Sequence, residues 1–496
     1  MIPNTFIAVS LALLLWVLAW HLRSVKVRQI LLLGASYLFY AEWGYGFLSV
    51  LIASSLLNYA WGFVLRRRAT AGSLWIGVSL NLLILSFFKY LPPLLEFGLA
   101  SEQSHVLRSI VMPVGISFWT FQGIAYLFDL YRGEELDPSL AEFCLYMAFW
   151  PTVLSGPICR LPDMLLQFRS AAAFTWENFT TGLRRLIQGL LMKMVLAQLL
   201  GFGLSSGAGV SAGFDQLKGD WGGIDVWLLA IGFGFQLFFD FAGYSHIVIG
   251  TARLFGIRIE ENFDRPFFST TPSLFWSRWH MSLSFWIRDY VFLPLAGACR
   301  DYRWPYVALV VSMSLFGLWH GAKATFIAWG LYHGLLLVGH RLGQQLMRRV
   351  PFHLPGSLSI VLSWATTFCL ISLGWIFFRA HDLGQVLLML RAVFAPSGYD
   401  RFAMPANFYF LTALVVSGYF IYGITESLLA QRKERSFTSV ETVKYARPVA
   451  ELFEVYALRL RWWTLSMVLA TAFFIVLAIV DQRGRIAIPP FMYTGF

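Results

Sequence analysis

Charge is what this sequence has least of: 13% of its 496 residues are Asp, Glu, Lys or Arg, against 58% hydrophobic. Soluble domains carry about a quarter charged residues. A chain this poor in charge cannot cover its own surface with water-compatible groups, so much of that surface faces lipid. Cysteine is scarce as well. Cys144, Cys159, Cys299 and Cys369 lie in or beside apolar stretches, with no pair at metal or redox spacing, and read as small buried hydrophobes. There is no Gly-x-Ser-x-Gly elbow with triad partners, no internal repeat, no low-complexity linker and no soluble domain. A basic signal-peptide n-region and an Ala-x-Ala-like site are also missing from residues 1–20, which read as a retained first helix.

What the chain does have is long uncharged runs, at residues 1–20, 43–65, 69–88, 109–128, 304–322, 354–378, 402–425 and 462–480. A hydrocarbon core of about 30 Å takes about 20 residues of helix. Shorter or interrupted stretches at 29–41, 143–159, 186–214 and 226–251 bring the expectation to about eleven to thirteen segments, some re-entrant. The expected fold is an all-α polytopic membrane protein, a single integral membrane domain over residues 1–496.

The formal net charge of +11 is not a nucleic-acid signal, because the cations gather between spans: Arg23, Lys26 and Arg28; Arg66, Arg67 and Arg68; Arg341, Arg348 and Arg349; Arg432, Lys433 and Arg435. The positive-inside rule places all four groups in the cytoplasm, which puts the N-terminus outside. The connector at 431–461 is expected to carry an amphipathic helix over 449–460.

Residues 253–303 break the pattern. Arg253, Arg258, Arg265, Arg278, Arg288, Arg300 and Arg303 alternate there with Phe267, Phe275, Trp276, Trp279, Trp286 and Tyr290. That is too charged for lipid and too aromatic for a free loop, so amphipathic or re-entrant helices that fold back into the protein are expected. Beyond them, arginines on both sides of 304–340 predict a helical hairpin whose tip is Gly317-Leu318-Trp319-His320-Gly321-Ala322.

Four of nine histidines lie within segments: His246, His280, His320 and His333. An intramembrane ionisable residue is a functional hypothesis by default, weighed against a neutral ring hydrogen-bonded between helices. The separations fit no metal-ligand pattern and no carboxylate or thiol completes a set, so no metal is expected. A neutral imidazole can take the proton of a hydroxyl as that hydroxyl attacks a thioester. That chemistry singles out His320.

Several stretches together resemble the membrane-bound O-acyltransferase superfamily, in the bacterial branch that acetylates alginate or transfers D-alanine to teichoic acid. They run in family order: Met112 to Gln122 (MPVGISFWTFQ), Asp129 to Gly133, Ser155 to Ile158, Leu254 to Arg258, Glu261 to Pro266, Phe275 to Ser284, Arg288 to Tyr290, Gly317 to Ala322 and Gly330 to Gly334. The core motifs fall within residues 109–340. The resemblance implies a ring of about eleven transmembrane helices, with re-entrant helices around a central tunnel, in a bacterial inner membrane. It implies His320 and His280 as the catalytic pair, with Trp319, Lys323, Gln122, Asn262, Arg278 and Asp289 placing the donor. Arg258, Arg265 and Arg288 are the candidates for holding donor phosphates.

No permanently bound cofactor is implied. The donor would be acetyl-CoA or an acyl carrier protein on the cytoplasmic side, the acceptor a cell-surface polysaccharide, and the partner a periplasmic SGNH-type acyltransferase. D-alanyl transfer from an acylated carrier is the alternative within the branch, and a lipid or peptide acyltransferase within the wider class. A secondary transporter or a secretion-complex scaffold is the alternative outside it. The sequence departs from the family at Gly243-Tyr244-Ser245-His246, where Asp usually stands in place of His246; Asp240 is the nearby substitute.

Overall fold

The computed structural model describes residues 24–93, 111–170, 174–204, 209–216, 221–349 and 355–439. The expected first and last spans, the amphipathic helix at 449–460 and both chain ends lie outside these residues. Among the described residues the regular structure is helical, without strands. Six helices are long and apolar enough to cross a bilayer: Tyr45–Arg67, Ala71–Lys89, Trp176–Phe202, Gly223–Leu254, Gly356–Arg379 and Ala406–Leu429. Trp304–His320 and Leu383–Phe394 are shorter apolar helices.

Local chemistry starts several of these helices. Thr70 and Ser73 form a reciprocal capping box at Ala71–Lys89, and Ser139 and Glu142 do the same at Leu140–Ala148. The side-chain pattern is the reverse of a soluble protein's. Leu83, Ile76 and Trp75 are more than half exposed on Ala71–Lys89, whereas Asn81 on the same helix is buried. Asn81 exchanges amide hydrogen bonds of 2.8 and 3.0 Å with Asn58 of Tyr45–Arg67. Apolar outside and paired amides inside is the arrangement that lipid demands.

The expected span at 109–128 takes a different form. Its helix begins only at Ile116, after Gly115 turns the chain with φ +80°, and runs to Tyr131. Every residue from Ile116 to Phe128 is buried, so this helix is wrapped by protein.

The chain divides into two compact units. The first takes in the described residues up to Gly189 and those from Phe241 to Leu387. It holds the expected hairpin, Trp304–His320 followed by Ala324–Met347. Small residues let these two helices touch backbone to backbone: a methyl added at Gly317 would meet the Phe326 carbonyl oxygen at 2.1 Å, and one at Gly330 the Met313 carbonyl at 2.2 Å.

The second unit comprises residues 190–240 and the described chain from Leu388. A π turn at Met192–Leu196 carries Lys193, which pairs with Asp240; both are buried. Asp225 ties this unit's two chain segments together, accepting from Gly222 N–H at 2.8 Å, Ala403 N–H at 3.0 Å and the Tyr409 hydroxyl at 2.5 Å.

Candidate active site

His320 is the last residue of its helix and 1% exposed. Its ring lies inside an aromatic cage, with ring centres 4.6 Å away at Trp319, 4.8 Å at Phe378, and 5.3 Å at Phe316 and at Trp329. A cavity of about 80 Å³ is lined by His320, Trp319, Lys89, Ser117, Ser155 and the turn at Val114–Ile116. Gly115 builds that wall by packing so closely on residues 153–154 that a methyl there would meet the Val153 carbonyl oxygen at 2.1 Å. The space holds several waters or a group of a few heavy atoms.

Lys89 ends the helix Ala71–Lys89, and its ammonium donates to the Trp319 carbonyl. Beside it, the Tyr90 hydroxyl donates to the Leu318 carbonyl at 3.0 Å. Two carbonyls in the last turn of the His320 helix therefore accept from side chains at the end of Ala71–Lys89, that of Leu318 in addition to its bond from the Gly321 N–H. Lys323 lies elsewhere: it is exposed, with its ammonium 6.0 Å from the centre of the Phe326 ring.

The second histidine also neighbours Trp319, whose indole centre is 6.4 Å from the His280 ring. His280 is fully buried and holds a left-handed backbone, φ +43°, just before the helix Met281–Ile287. A non-glycine residue there costs of order 1–3 kcal/mol, which the surroundings must supply. Asn262 supplies much of it. Its backbone carbonyl accepts from Met281 N–H at 2.9 Å, and its side-chain oxygen accepts from the Ser282 hydroxyl at 2.9 Å and the Ser282 N–H at 3.2 Å. The same oxygen lies 3.2 Å from His280 Nδ1. Since the Asn262 Nδ2 donates to Ser245, its Oδ1 is the acceptor and His280 Nδ1 carries the proton. Nε2 is then the basic nitrogen of that ring.

The remaining sequence candidates form two groups. Asp289 sits in a π turn, Arg288–Phe292, and pairs with Arg160 at 3.2 Å and with Arg288 at 2.7 Å. Its neighbour Tyr290 donates to Asp129 at 2.6 Å and receives the Arg160 guanidinium, while Arg132 donates to the Asp289 carbonyl at 2.6 Å. The second group is built on Asp264, which lies 3.4 Å from Arg265 and 3.9 Å from Arg278. Arg258 is fixed through its backbone, which exchanges hydrogen bonds of 2.6 and 3.0 Å with the Gln167 side chain. Gln122 is buried on the helix Ile116–Tyr131. His246 faces Arg185, 2.7 Å from Nδ1, and Arg185 also pairs with Glu261. Asp240 belongs to the Lys193 pair.

Lys89 and Arg160 escaped the sequence reading. Lys89 closes an apolar run and passes for an end anchor. Its signal is its position: that run starts at the Arg66–Arg68 group, about 28 Å of helix away, so Lys89 stands at the opposite end of the helix from that cluster.

The sequence model of the MBOAT, membrane-bound O-acyltransferase family matches residues 130–380. The chain is 36% identical to a probable alginate O-acetylase of Pseudomonas aeruginosa, over 76% of this chain and 71% of that one. It is 31% identical to the peptidoglycan O-acetyltransferase of Helicobacter pylori, over 73% of each chain. It is 28% identical to the teichoic acid D-alanyltransferase of Bacillus subtilis, over 66% of this chain and 82% of that one.

Proposed function

Because the chain belongs to the membrane-bound O-acyltransferase family, we propose that it moves an acetyl group from a cytoplasmic thioester to the hydroxyl of a cell-surface polysaccharide. Transfer is direct or passes through a periplasmic acyltransferase of SGNH type. The observation that carries this reading is His320, a buried imidazole that lines a small cavity together with Lys89, Ser117 and Ser155. The imidazole takes the acceptor's hydroxyl proton as oxygen attacks the thioester carbonyl, and returns it to the leaving thiolate. His320 ends its helix, and the negative end of the helix dipole favours the imidazolium formed in transit by roughly 0.3–1 kcal/mol.

His280, with Nε2 as its basic nitrogen, and the polar groups around Asn262 position the donor. The arginines of the Asp264 and Asp289 groups receive its phosphate-bearing portion from the cytoplasmic side. Acetyl is favoured over D-alanyl on two grounds. The cavity at His320 is small, and the acetyl-transferring relatives match 73–79% of this chain at 31–36% identity, whereas the D-alanyl ones match 66% of it at 28% and 47% of it at 34%.

The test is acetyl transfer from radiolabelled acetyl-CoA in membranes carrying the full chain, with His320→Ala alongside. Loss of label release in the variant supports the reading. Equal release by both proteins points to a scaffold, and turnover only with a D-alanyl carrier protein moves the donor to the alternative class.

A further inference from the structure

The cavity at His320 contains a cation that the acyl-transfer reading leaves unused. Lys89 lines the cavity together with His320, and no carboxylate is among the lining residues. Among the described residues no ion pair reaches Lys89 either. A charged amine at the end of a helix apolar enough to cross a membrane, with no acid beside it, is costly, and such residues mark function by default. This one is also immobilised. Its ammonium is bound to the Trp319 carbonyl and stands 5.1 Å from the centre of the Trp319 indole, so it is tied to the residue that precedes His320.

We propose that Lys89 is a catalytic residue whose ammonium stabilises the oxyanion that forms on the acyl carbonyl in the cavity it shares with His320. The proposal rests on the acyl-transfer reading above. As the hydroxyl oxygen bonds to the thioester carbon, its proton passes to a ring nitrogen of His320 and the C=O π pair moves onto oxygen. That oxygen, now negative, faces Lys89. When the C=O bond re-forms, the C–S bond breaks and the sulfur takes the electron pair and then the proton from His320. Lys89 keeps its own protons throughout. A fixed cation in a small, largely apolar cavity suits this task because it needs no reorganisation at the moment charge develops. An anchored lysine also explains why Tyr90 and Lys89 spend donors on carbonyls of one helix end: they hold that cation beside the cavity.

The experiment compares wild type, Lys89→Met, Lys89→Arg and His320→Ala as full-length protein in nanodiscs, following thiol release from acetyl-CoA with water as acceptor. Gel-filtration profile and thermal midpoint report folding. Loss of one oxyanion donor lowers kcat by about 10²–10³. Lys89→Met is expected to show that loss with KM near wild type, and Lys89→Arg to recover part of it. Should Lys89→Met fail the folding check, Lys89→Gln supplies the neutral comparison. A rise in KM at unchanged kcat assigns Lys89 to ground-state binding and overturns the proposal. So does full activity of Lys89→Met beside a dead His320→Ala, which leaves the acyl-transfer reading standing. No wild-type turnover, or full activity of His320→Ala, removes that reading and this proposal with it.

Discussion

The Lys89 ammonium is bound to the backbone carbonyl of Trp319, which fastens the end of one membrane helix to the tip of another one residue short of His320. Two side chains separated by 231 positions thereby share one cavity. The hairpin that carries His320 is positioned by backbone contact within it and by this tether outside it.

The contact inside the hairpin sets the first expectation. Gly317→Ala and Gly330→Ala each place a methyl about 2.1–2.2 Å from a carbonyl oxygen of the opposite helix, so the backbones must separate. Overpacking of this kind costs about 1–3 kcal/mol. The thermal midpoint of the detergent-solubilised protein should fall for both variants, and acyl transfer should fall with it. An unchanged midpoint would mean that the helices stand further apart than described.

Asn262 is the second target. Asn262→Ala removes the acceptor shared by His280 and Ser282 and leaves buried donors without it, at about 1–3 kcal/mol each. It also frees the His280 ring to change tautomer and the left-handed backbone at φ +43° to relax. Activity is therefore expected to drop further than stability alone explains. Comparing transfer rates at a temperature well below both midpoints checks this.

In the second unit, Lys193→Met or Asp240→Asn breaks a buried ion pair from one side, which costs about 3–5 kcal/mol. Lys193→Met combined with Asp240→Leu removes both charges and is expected to recover much of the loss. Expression level and midpoint of the three variants provide the readout. Equal damage in the single and double variants would show that the pair's partners, and not the pair itself, matter.

Acid sensitivity has one clear source. Arg169 donates to the Glu142 carboxylate at 2.8 and 2.9 Å, and Ser139 adds an N–H at 2.7 Å, which together hold the carboxyl at about 2 against an ordinary 4.5. A depressed carboxyl contributes stability that is complete above its unfolded value and is lost as pH falls through its folded value. The midpoint advantage of wild type over Glu142→Gln should be constant from pH 7 to about 5 and shrink from pH 4.5 toward 2. A gap that stays constant down to pH 3 would exclude this ion pair as the cause.

Much of this was readable from residue order. Among the described residues, uncharged runs marked four of the six long apolar helices and an interrupted apolar stretch a fifth, each to within a few residues, because crossing lipid is a requirement on composition alone. The sixth starts at Trp176, ten residues ahead of the apolar stretch, since its first half is amphipathic and hides from a search for uncharged runs. Composition likewise could not tell a helix facing lipid from one encased in protein, so the buried helix Ile116–Tyr131 read as an ordinary span. At the site, flanking arginines and glycines pointed to the hairpin and its histidine. Lys89 did not stand out, because its meaning comes from a helix end more than two hundred residues away. Lys323 drew attention by adjacency, yet its ammonium lies over the Phe326 ring while Lys89 lines the cavity.

The π turn at Arg288–Phe292 has a consequence for how this protein tolerates change. Such a turn is a helix with one surplus residue, and each residue rotates the helix by about 100°. Deleting Val291 would let the ladder close into a regular α-helix, a locally favourable repair. It would also swing either Asp289 and Tyr290 or everything after them out of register, parting Arg160 and Asp129 from their partners. Substitutions across this stretch should therefore be absorbed far more readily than a single-residue shortening, although the shortened helix is the more regular one.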